Sequence, residues 1–349
     1  MIDQSYLNTQ TNTLTVLVTY TCTAACKECC FGCTPKMGGR LSREQICSAI
    51  DEAKRDFPGL QLVVFSGGEC FLLKEDLYEA IAFASNLGLK TRCVTNAFWG
   101  KTAATARRTV AMLVRSGITE INISTGNDHQ EFVPSESVIN AAEALVKEGV
   151  PTLITIEQET EQSSCRTVLF GSSKFQKLLE DTSGKLRVQT NTWMPFTHSP
   201  EPRERAKLKV NVTGPCSQIF SNVVITPHHM LSACCGLTLE HIPEMKLGYV
   251  EPGSIRRTYA QQLDDFLKIW LHVEGPSGVL ESVLPSAEAD ALIRDSNHIC
   301  QLCAVLHLTP DIRKAIQSKW RENVPRVLRK LAAQRLANQV YMLDVETII

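Results

Sequence analysis

The chain has 349 residues, of which 44% are hydrophobic and 21% charged, and its formal net charge is -1. These values are typical of a globular protein and give no reason to expect binding to nucleic acid or to a membrane surface through overall charge. The sequence holds no run of about eighteen apolar residues, so we expect no transmembrane helix. The first residues, MIDQSYLNTQTNTL, lack the basic-then-apolar order of a signal peptide, which predicts a location in the reducing cytoplasm.

Short apolar runs alternate with amphipathic patterns in the first part of the chain. The predicted strands are 14–20, 61–66, 91–96, 120–125, 152–157 and 185–193. The first helical pattern begins with Ser42 and Gln45 at the spacing of a capping box. Alternation of strands and helices predicts a parallel sheet with right-handed crossovers. Six such units make a partial barrel or a doubly wound sheet, and periodicity alone does not separate the two.

The pattern changes after a polar, proline-bearing link at 198–209. Residues 220–236 predict a hairpin whose turn runs from Thr226 to His229. Residues 254–275 predict one long helix that ends at Gly275. The final pattern is amphipathic and basic, and Pro325 predicts a break or a new helix start within it. We expect this tail to pack across the barrel or to form a dimer contact.

Five of the 14 cysteines lie in YTCTAACKECCFGCTP, residues 20–35. Many thiols in a reducing compartment indicate metal, cluster or redox chemistry. Cys22, Cys26 and Cys29 have the spacing CxxxCxxC, and three thiolates leave one iron of a [4Fe-4S] cluster open to an external ligand. The alternative is a closed zinc site with four ligands, Cys26, Cys29, Cys30 and Cys33. The loop follows the first strand, where barrel active sites are built, and this position favours the cluster.

The segment CTAACKEC, placed after a strand, resembles the signature of the radical S-adenosylmethionine (SAM) superfamily. FSGGE (65–69) resembles the motif that meets the amino group of SAM, VTN (94–96) ends the third strand, and INISTGNDHQEFVP (121–134) resembles the segment that reaches the ribose. The resemblance covers roughly residues 13 to 200 and implies a partial (β/α)6 barrel. It also implies two sets of site residues: Cys22, Cys26 and Cys29 for the cluster, and Gly67, Gly68, Glu69, Asn96 and Ser124 for the cofactor.

The same resemblance implies the reaction type. One electron from the reduced cluster would cleave SAM to methionine and a 5'-deoxyadenosyl radical, which abstracts a hydrogen atom from the substrate. The electron would come from a donor such as flavodoxin or ferredoxin. The roles of Cys30 and Cys33 stay open.

A second set of cysteines lies in the appended region. Four thiolates from a hairpin and a CxxC loop can bind zinc or a second [4Fe-4S] cluster, and spacing alone does not decide. The order C-x17-C, a long gap and C-x2-C resembles the Twitch domain, a shortened SPASM module that binds one auxiliary [4Fe-4S] cluster beside the substrate. The resemblance implies the ligands Cys216, Cys234, Cys300 and Cys303.

The doubled cysteine leaves an ambiguity, because Cys235 could replace Cys234 as the ligand. If Cys234 binds the cluster, Cys235 is a candidate hydrogen-atom donor to a substrate radical, as in the epimerases of the family. Cys70 and Cys165 are weaker candidates for that role.

The predicted organisation is an N-terminal tail (1–12), a radical SAM partial barrel (13–205), a Twitch/SPASM-like domain of hairpin and helices (206–308) and a basic amphipathic helical tail (309–349). We expect modification of a ribosomally made peptide by crosslinking, epimerisation or oxidation. Cys22 lies close to the first residue, so we expect a separate protein or the C-terminal helices to recognise such a peptide. Two alternatives remain: a small-molecule dehydrogenase or epimerase resembling those of aminoglycoside pathways, and a non-catalytic Fe-S or zinc scaffold.

Overall fold

The computed structural model describes residues 2–158, 163–180, 184–192 and 211–348, and nine strands in these ranges form one sheet. Their order across the sheet is β6-β5-β4-β3-β2-β1-β7-β8-β9. The strands are β1 (Thr13–Thr19), β2 (Leu62–Gly67), β3 (Lys90–Thr95), β4 (Glu120–Gly126), β5 (Thr152–Gln158), β6 (Leu186–Thr192), β7 (Asn222–Ile225), β8 (Met230–Ser232) and β9 (Lys246–Tyr249).

Strands β1 to β6 are parallel and neighbour one another in chain order. A doubly wound sheet reverses its strand order at a switch point, whereas unbroken order is the arrangement of a barrel. The partial (β/α)6 barrel is therefore confirmed. All six predicted parallel strands are present and shifted by at most one residue, although residue 193 of the last one lies outside the described residues.

Helices cover the outer face of the barrel strands. Short 3-10 turns occupy Cys70–Leu73, Phe98–Gly100, Pro243–Met245 and Gln261–Asp264. The α-helices are α1 (Tyr6–Gln10), α2 (Arg43–Asp56), α3 (Glu75–Asn86), α4 (Ala103–Arg115), α5 (Asn127–Gln130), α6 (Ser135–Lys147), α7 (Ser164–Gly171), α8 (Ser173–Glu180), α9 (Ile255–Ala260), α10 (Phe266–Val283), α11 (Ser286–Arg294), α12 (Ile299–Leu308) and α13 (Pro310–Ile348).

The capping box predicted for α2 is confirmed. The Gln45 N–H donates to Ser42 Oγ at 3.2 Å, and the Ser42 N–H donates to Gln45 Oε1 at 2.7 Å. These two bonds satisfy N–H groups that a helix start otherwise leaves without partners. The cap fixes where α2 begins and therefore where the preceding cysteine loop ends.

Strand alternation separates an apolar outer face from a polar lumen. On β4, Ile121 and Ile123 are fully buried, whereas Asn122 and Ser124 between and beyond them are half-buried. Successive side chains of a strand point to opposite faces, so one face packs under the helices and the other lines the barrel interior. The interior of this barrel can therefore hold a polar ligand.

The predicted hairpin is confirmed, and it continues the barrel sheet. β7 pairs in parallel with β1, and β8 pairs antiparallel to β7 across the turn from Thr226 to His229. The Thr15 hydroxyl donates to Asn222 Oδ1 at 3.0 Å across the β1–β7 junction. This junction brings the cysteines that follow β8 to the edge of the barrel lumen. The link at 198–209 and the 205/206 boundary lie outside the described residues, and the predicted N-terminal tail contains α1.

The prediction of one long helix over 254–275 is wrong. The segment divides into α9, a 3-10 turn and α10, because Asp265 leaves helical geometry and caps α10 by accepting from the N–H groups of Leu267 and Lys268. Gly275 interrupts the helix as predicted, but α10 continues to Val283 beyond it. Gly275 has φ 70°, and a Cβ there would lie 1.7 Å from the Gly214 carbonyl oxygen.

The break predicted at Pro325 is also wrong, since α13 runs through it. Contacts with α10 hold the two sides of the proline in line. The Trp320 ring lies 5.8 Å from the Phe266 ring, and beyond the proline Arg326 and Lys330 both pair with Glu274. None of the helices in the described ranges is long and apolar enough to cross a membrane.

Candidate active site

The cysteine loop between β1 and α2 faces a cavity of about 330 Å³ at the carboxyl ends of the barrel strands. We call it the upper cavity. All five loop cysteines line it, together with residues that follow β2, β3 and β4. This end of a parallel barrel is where strand ends converge and active sites form. The thiols that line the upper cavity from the loop are Cys22, Cys26, Cys29, Cys30 and Cys33.

Backbone contacts at both ends hold the loop in place. The Cys22 N–H donates to the Thr34 carbonyl at 3.1 Å, which closes the loop on itself. Asp128 of α5 is 3% exposed, and its Oδ2 accepts from the N–H groups of Lys27 and Glu28 at 2.9 and 3.4 Å. Sequence reasoning missed Asp128, although its position just after β4 in the quoted fourth-strand segment was a signal.

The three CxxxCxxC thiols have different environments. Burial raises the pKa of Cys22 to about 11 and that of Cys26 further, and the charge of Cys29 adds to both shifts. The pKa of Cys29 is lowered, first by a hydrogen bond from the Cys33 thiol and then by backbone N–H groups, which outweigh its burial. One of these N–H groups, that of Cys33, lies 3.4 Å from the Cys29 sulfur.

The donor set fits an iron-sulfur cluster. Thiolate sulfur is the ligand of such clusters, and these thiols converge on one cavity and affect one another electrostatically. Among the described residues, no three His, Cys, Asp or Glu side chains are placed to hold a single metal ion. The fit therefore rests on the convergence of the loop thiols.

Gly67 and Gly68 allow the end of β2 to approach the cysteine loop. A Cβ on Gly67 would lie 2.3 Å from the Thr19 carbonyl oxygen, and one on Gly68 would lie 2.3 Å from that of Thr21. The Gly68 N–H donates to the Thr19 carbonyl at 2.6 Å. Both glycines line the upper cavity. The site thus requires glycine at both positions, because a side chain at Gly67 would push away the end of β1 and one at Gly68 would push away the cysteine loop.

Glu69 lies beside the cavity but does not line it. Its carboxylate is fully buried and accepts from the Thr95 hydroxyl at 2.9 Å, the Asn96 N–H at 2.9 Å and the Phe71 N–H at 3.1 Å. Burial raises the pKa of Glu69 to about 7, although these hydrogen bonds oppose the shift. Its contacts tie the end of β2 to the end of β3.

Asn96 and Ser124 both line the upper cavity. The Asn96 amide donates to the Thr23 hydroxyl at 3.0 Å, and its Oδ1 accepts from the Phe98 N–H at 3.1 Å. Because the Glu69 carboxylate accepts from the Asn96 N–H, it orients Asn96, which contacts both the cavity and the cysteine loop.

Two further polar residues of the cavity wall were missed by sequence reasoning. His129 of α5 and Glu157 of β5 line the cavity, with His129 Nδ1 3.6 Å from Glu157 Oε2. Burial lowers the pKa of His129 to about 4. Burial, and then the charges of Cys29 and Asp128, raise the pKa of Glu157 to about 8. Glu157 ends the fifth predicted strand, and this was the one available signal.

The second thiol set converges at the barrel edge. A Cβ on Gly236 would lie 3.2 Å from the Cys300 sulfur and 3.4 Å from the Cys234 sulfur. Burial raises the pKa of Cys300 to about 12 and that of Cys303 still higher, and the charge of Cys216 contributes to both shifts. The structure brings together the four residues expected to bind an auxiliary cluster: Cys216, Cys234, Cys300 and Cys303. We call them the thiol quartet.

Cys235 and its neighbour Cys234 lie in different surroundings. Cys235 lines the upper cavity, and burial raises its pKa to about 11, a shift that Thr15 inside the barrel opposes. The charge of Cys235 also contributes to the raised pKa of Cys30 on the loop. By contrast, Cys70 and Cys165 are fully buried and are not part of the wall; the Cys70 thiol donates to the Val94 carbonyl at 3.3 Å. Of the three candidate hydrogen donors, Cys235 alone lines the cavity.

Comparisons with known proteins find similarity over part of the chain. The model of the Radical SAM superfamily matches residues 16–162. YydG of Bacillus subtilis (strain 168), whose name connects it with peptide biosynthesis, is 27% identical over 122 residues. The match spans 35% of this chain and only 38% of that protein.

Solved structures support the fold. The structure of histidine-tagged anSMEcpe with bound AdoMet has a TM-score of 0.51 and 14% identity, covering 93% of this chain and 97% of that one. Native anSMEcpe with bound AdoMet has a TM-score of 0.50 and 13% identity, covering 91% and 98%. At this level of identity the likeness shows a shared fold.

Proposed function

We propose that this chain, whose residues 16–162 match the model of the Radical SAM superfamily, is a radical SAM enzyme that inverts the configuration of a residue in a ribosomally made peptide. The observation that carries the proposal is the position of Cys235, which lines the upper cavity together with the loop thiols. A thiol there can return a hydrogen atom to a substrate carbon that has lost one. The name of YydG, a relative connected with peptide biosynthesis, supports a peptide substrate.

The loop and the strand ends would hold the cofactors. Cys22, Cys26 and Cys29 would bind a [4Fe-4S] cluster that leaves one iron for SAM. When bound, the cluster and SAM supply a 5'-deoxyadenosyl radical that removes a hydrogen atom from the substrate. The residues that would contact SAM are Gly67, Gly68, Asn96 and Ser124, with Glu69 acting through Asn96.

The thiol quartet would bind an auxiliary [4Fe-4S] cluster. Its members lie at the barrel edge, and Cys234 is the residue directly before Cys235 in the chain. An auxiliary cluster there would lie beside the proposed hydrogen donor. That position suits the transfer of single electrons to the donor thiol.

The proposed role of Cys235 balances hydrogen atoms and electrons. The substrate Cα loses its hydrogen on one face and receives the hydrogen of the Cys235 S–H on the other, so the residue is inverted. The thiyl radical left on Cys235 returns to a thiol by taking one electron and one proton. Each turnover then needs two electrons from a one-electron donor such as flavodoxin or ferredoxin. Such thiols persist in a reducing compartment, and we place the enzyme in the cytoplasm.

The experiment that tests the proposal is turnover in deuterated water. The reconstituted enzyme is incubated anaerobically with SAM, a reductant and a pool of synthetic peptides, and the products are analysed by mass spectrometry and chiral amino-acid analysis. Because a thiol exchanges its hydrogen with solvent, each inverted residue should gain one deuterium. Inversion without deuterium gain, or products with a new crosslink instead, would contradict the proposal.

Two variants make the test specific to Cys235. Cys235→Ala should still release 5'-deoxyadenosine but give no inverted peptide. Cys165→Ala, which removes a buried thiol outside the cavity wall, should invert the peptide as the parent enzyme does. Normal inversion by Cys235→Ala would exclude this thiol as the donor.

A further inference from the structure

A second cavity, of about 810 Å³, lies at the amino-terminal end of the barrel strands. We call it the lower chamber. Its barrel wall is formed by Thr13 and Thr15 of β1, Val64 of β2 and Arg92 of β3. Its volume falls in the range of roughly 300–1,000 Å³ that is usual for ligand sites. The chamber is therefore large enough for a segment of a substrate.

The lower chamber and the upper cavity share a boundary. Ser66, Val94 and Cys235 line both. A ligand that fills the lower chamber therefore extends to the thiol proposed as the hydrogen donor. The chamber is placed to hold the part of a substrate that adjoins the reacting residue.

Two arginines line the lower chamber, and they differ in whether an acidic side chain pairs with them. Arg92 is paired with Glu120 at 2.5 Å. Arg335 of α13 has no acidic partner within 4 Å in the part of the chain that the structure describes. Its guanidinium lies over the Tyr6 ring, 5.3 Å from the ring centre. The charge of Arg335 also acts on Asp3, but that residue is exposed and its Oδ1 accepts from the Ser5 N–H at 2.9 Å.

The groups around Arg335 fix its position and add hydrogen-bonding capacity. The Tyr6 hydroxyl is engaged with His272 Nε2 at 2.7 Å, so the ring that carries the guanidinium is anchored to α10. Gln218 and Gln334 line the same chamber, and Gln218 Oε1 accepts from the Asn222 amide at 3.0 Å. A guanidinium held by its face on a ring keeps its N–H edge available for a planar anion such as a carboxylate.

We propose that the lower chamber holds a carboxylate-bearing segment of the substrate and that Arg335 binds this carboxylate. The inference rests on the proposed peptide substrate and narrows it to peptides with an acidic group near the inverted residue. The acidic group is an Asp or Glu side chain or the C-terminal carboxylate. α13 thereby contributes a specificity-determining residue to a site built by the barrel.

The test measures binding and not turnover. The reconstituted enzyme with SAM is mixed with pools of random decapeptides, and the bound fraction is identified by mass spectrometry. One amidated pool carries a single Glu at a fixed position, a second has Gln there, and a third has Gln and a free C-terminus. We expect about tenfold enrichment of one acidic pool over the amidated Gln pool, since a charge-assisted bidentate pair commonly contributes that factor. The enriched pool identifies the source of the carboxylate.

Variants on one helix provide the control. Arg335→Gln should abolish the enrichment and Arg335→Lys should keep part of it. Arg329→Gln, which removes an exposed charge from the same helix, should leave it unchanged. Equal loss in Arg335→Gln and Arg329→Gln, or no enrichment with the parent enzyme, overturns the proposal. Inversion of peptides that carry no acidic group would refute this inference and leave the proposed function standing. Enrichment of an acidic pool without any inversion would refute the proposed function and leave this inference standing.

Discussion

Cys234 and Cys235 are consecutive residues that lie in different surroundings. The Cys234 sulfur lies beside Gly236, on which a Cβ would be 3.4 Å from it and 3.2 Å from the Cys300 sulfur. Cys235 instead lines both the upper cavity and the lower chamber. The segment after β8 thus has one thiol on the side of the quartet and one on the side of the barrel lumen.

This division predicts different metal contents for two variants of similar size. Cys234→Ala should lose about four irons per chain after anaerobic reconstitution, because one of four ligands to a cluster is removed. Cys235→Ala should keep its iron. Iron and sulfide analysis by plasma spectrometry makes the comparison. Loss of four irons from Cys235→Ala with none lost from Cys234→Ala would show that Cys235, and not Cys234, is the cluster ligand.

Gly68→Ala should both destabilise the protein and weaken cluster binding by the cysteine loop. The new Cβ would lie 2.3 Å from the Thr21 carbonyl oxygen, which is backbone and cannot rotate away. Overpacking of this kind costs about 1–3 kcal/mol of unfolding free energy. Urea unfolding and iron content measure the two effects.

Gly171→Ala is the matched control for this substitution. Gly171 ends α7, and a Cβ there would meet nothing within 4 Å. Alanine favours helix over glycine, so the unfolding free energy should stay the same or rise. Equal losses of unfolding free energy in Gly68→Ala and Gly171→Ala would show that contact with the cysteine loop does not cause the destabilisation.

Glu274 should make the attachment of α13 sensitive to acid. Burial acts to raise its pKa, but hydrogen bonds from Lys330, Trp270 and Arg326 outweigh burial and lower the pKa below its ordinary value. A carboxylate with a lowered pKa stabilises the folded state above its ordinary pKa of 4.5, and this stabilisation is lost as the pH falls below that value. The contribution of Glu274 to the unfolding free energy should therefore stay constant from pH 7 to about pH 5 and decline as the pH falls below 4.5.

Glu274→Gln should be less stable than the parent at pH 7, by about 2 kcal/mol, because hydrogen bonds to a charged group are lost. The difference between the two proteins should be constant from pH 7 to about pH 5 and shrink as the pH falls below 4.5. Glu281→Gln, an exposed change on the same helix, should follow the parent at every pH. A difference between Glu274→Gln and the parent that does not shrink below pH 4.5 would contradict the role of its charge.

Local sequence predicted those parts of the molecule that depend on neighbouring residues. The strand periods, the Ser42–Gln45 cap and the turn from Thr226 to His229 are local, and the structure confirms all three. The position of the CxxxCxxC loop after β1 was also predicted, since the carboxyl ends of parallel strands meet at one end of a barrel.

Contacts between distant segments overrode local pattern elsewhere. Pro325 lies in a helix held straight by contacts with α10, among them the pairs of Arg326 and Lys330 with Glu274. Glu274 lies far more than one helical turn away from Pro325 along the chain. Sequence pattern alone could not identify this contact.

The sequence by itself determined the residue types of the site: the thiols, the paired glycines and the polar ends of the strands. Only the tertiary structure decided where each side chain is placed. It turned the Glu69 carboxylate toward β3, set Cys234 and Cys235 on two sides of one segment, and brought Arg335 of α13 to the lower chamber. The physical reason is that spacing fixes the order of chemical groups along the chain, whereas the packing of strands and helices fixes which face each group meets.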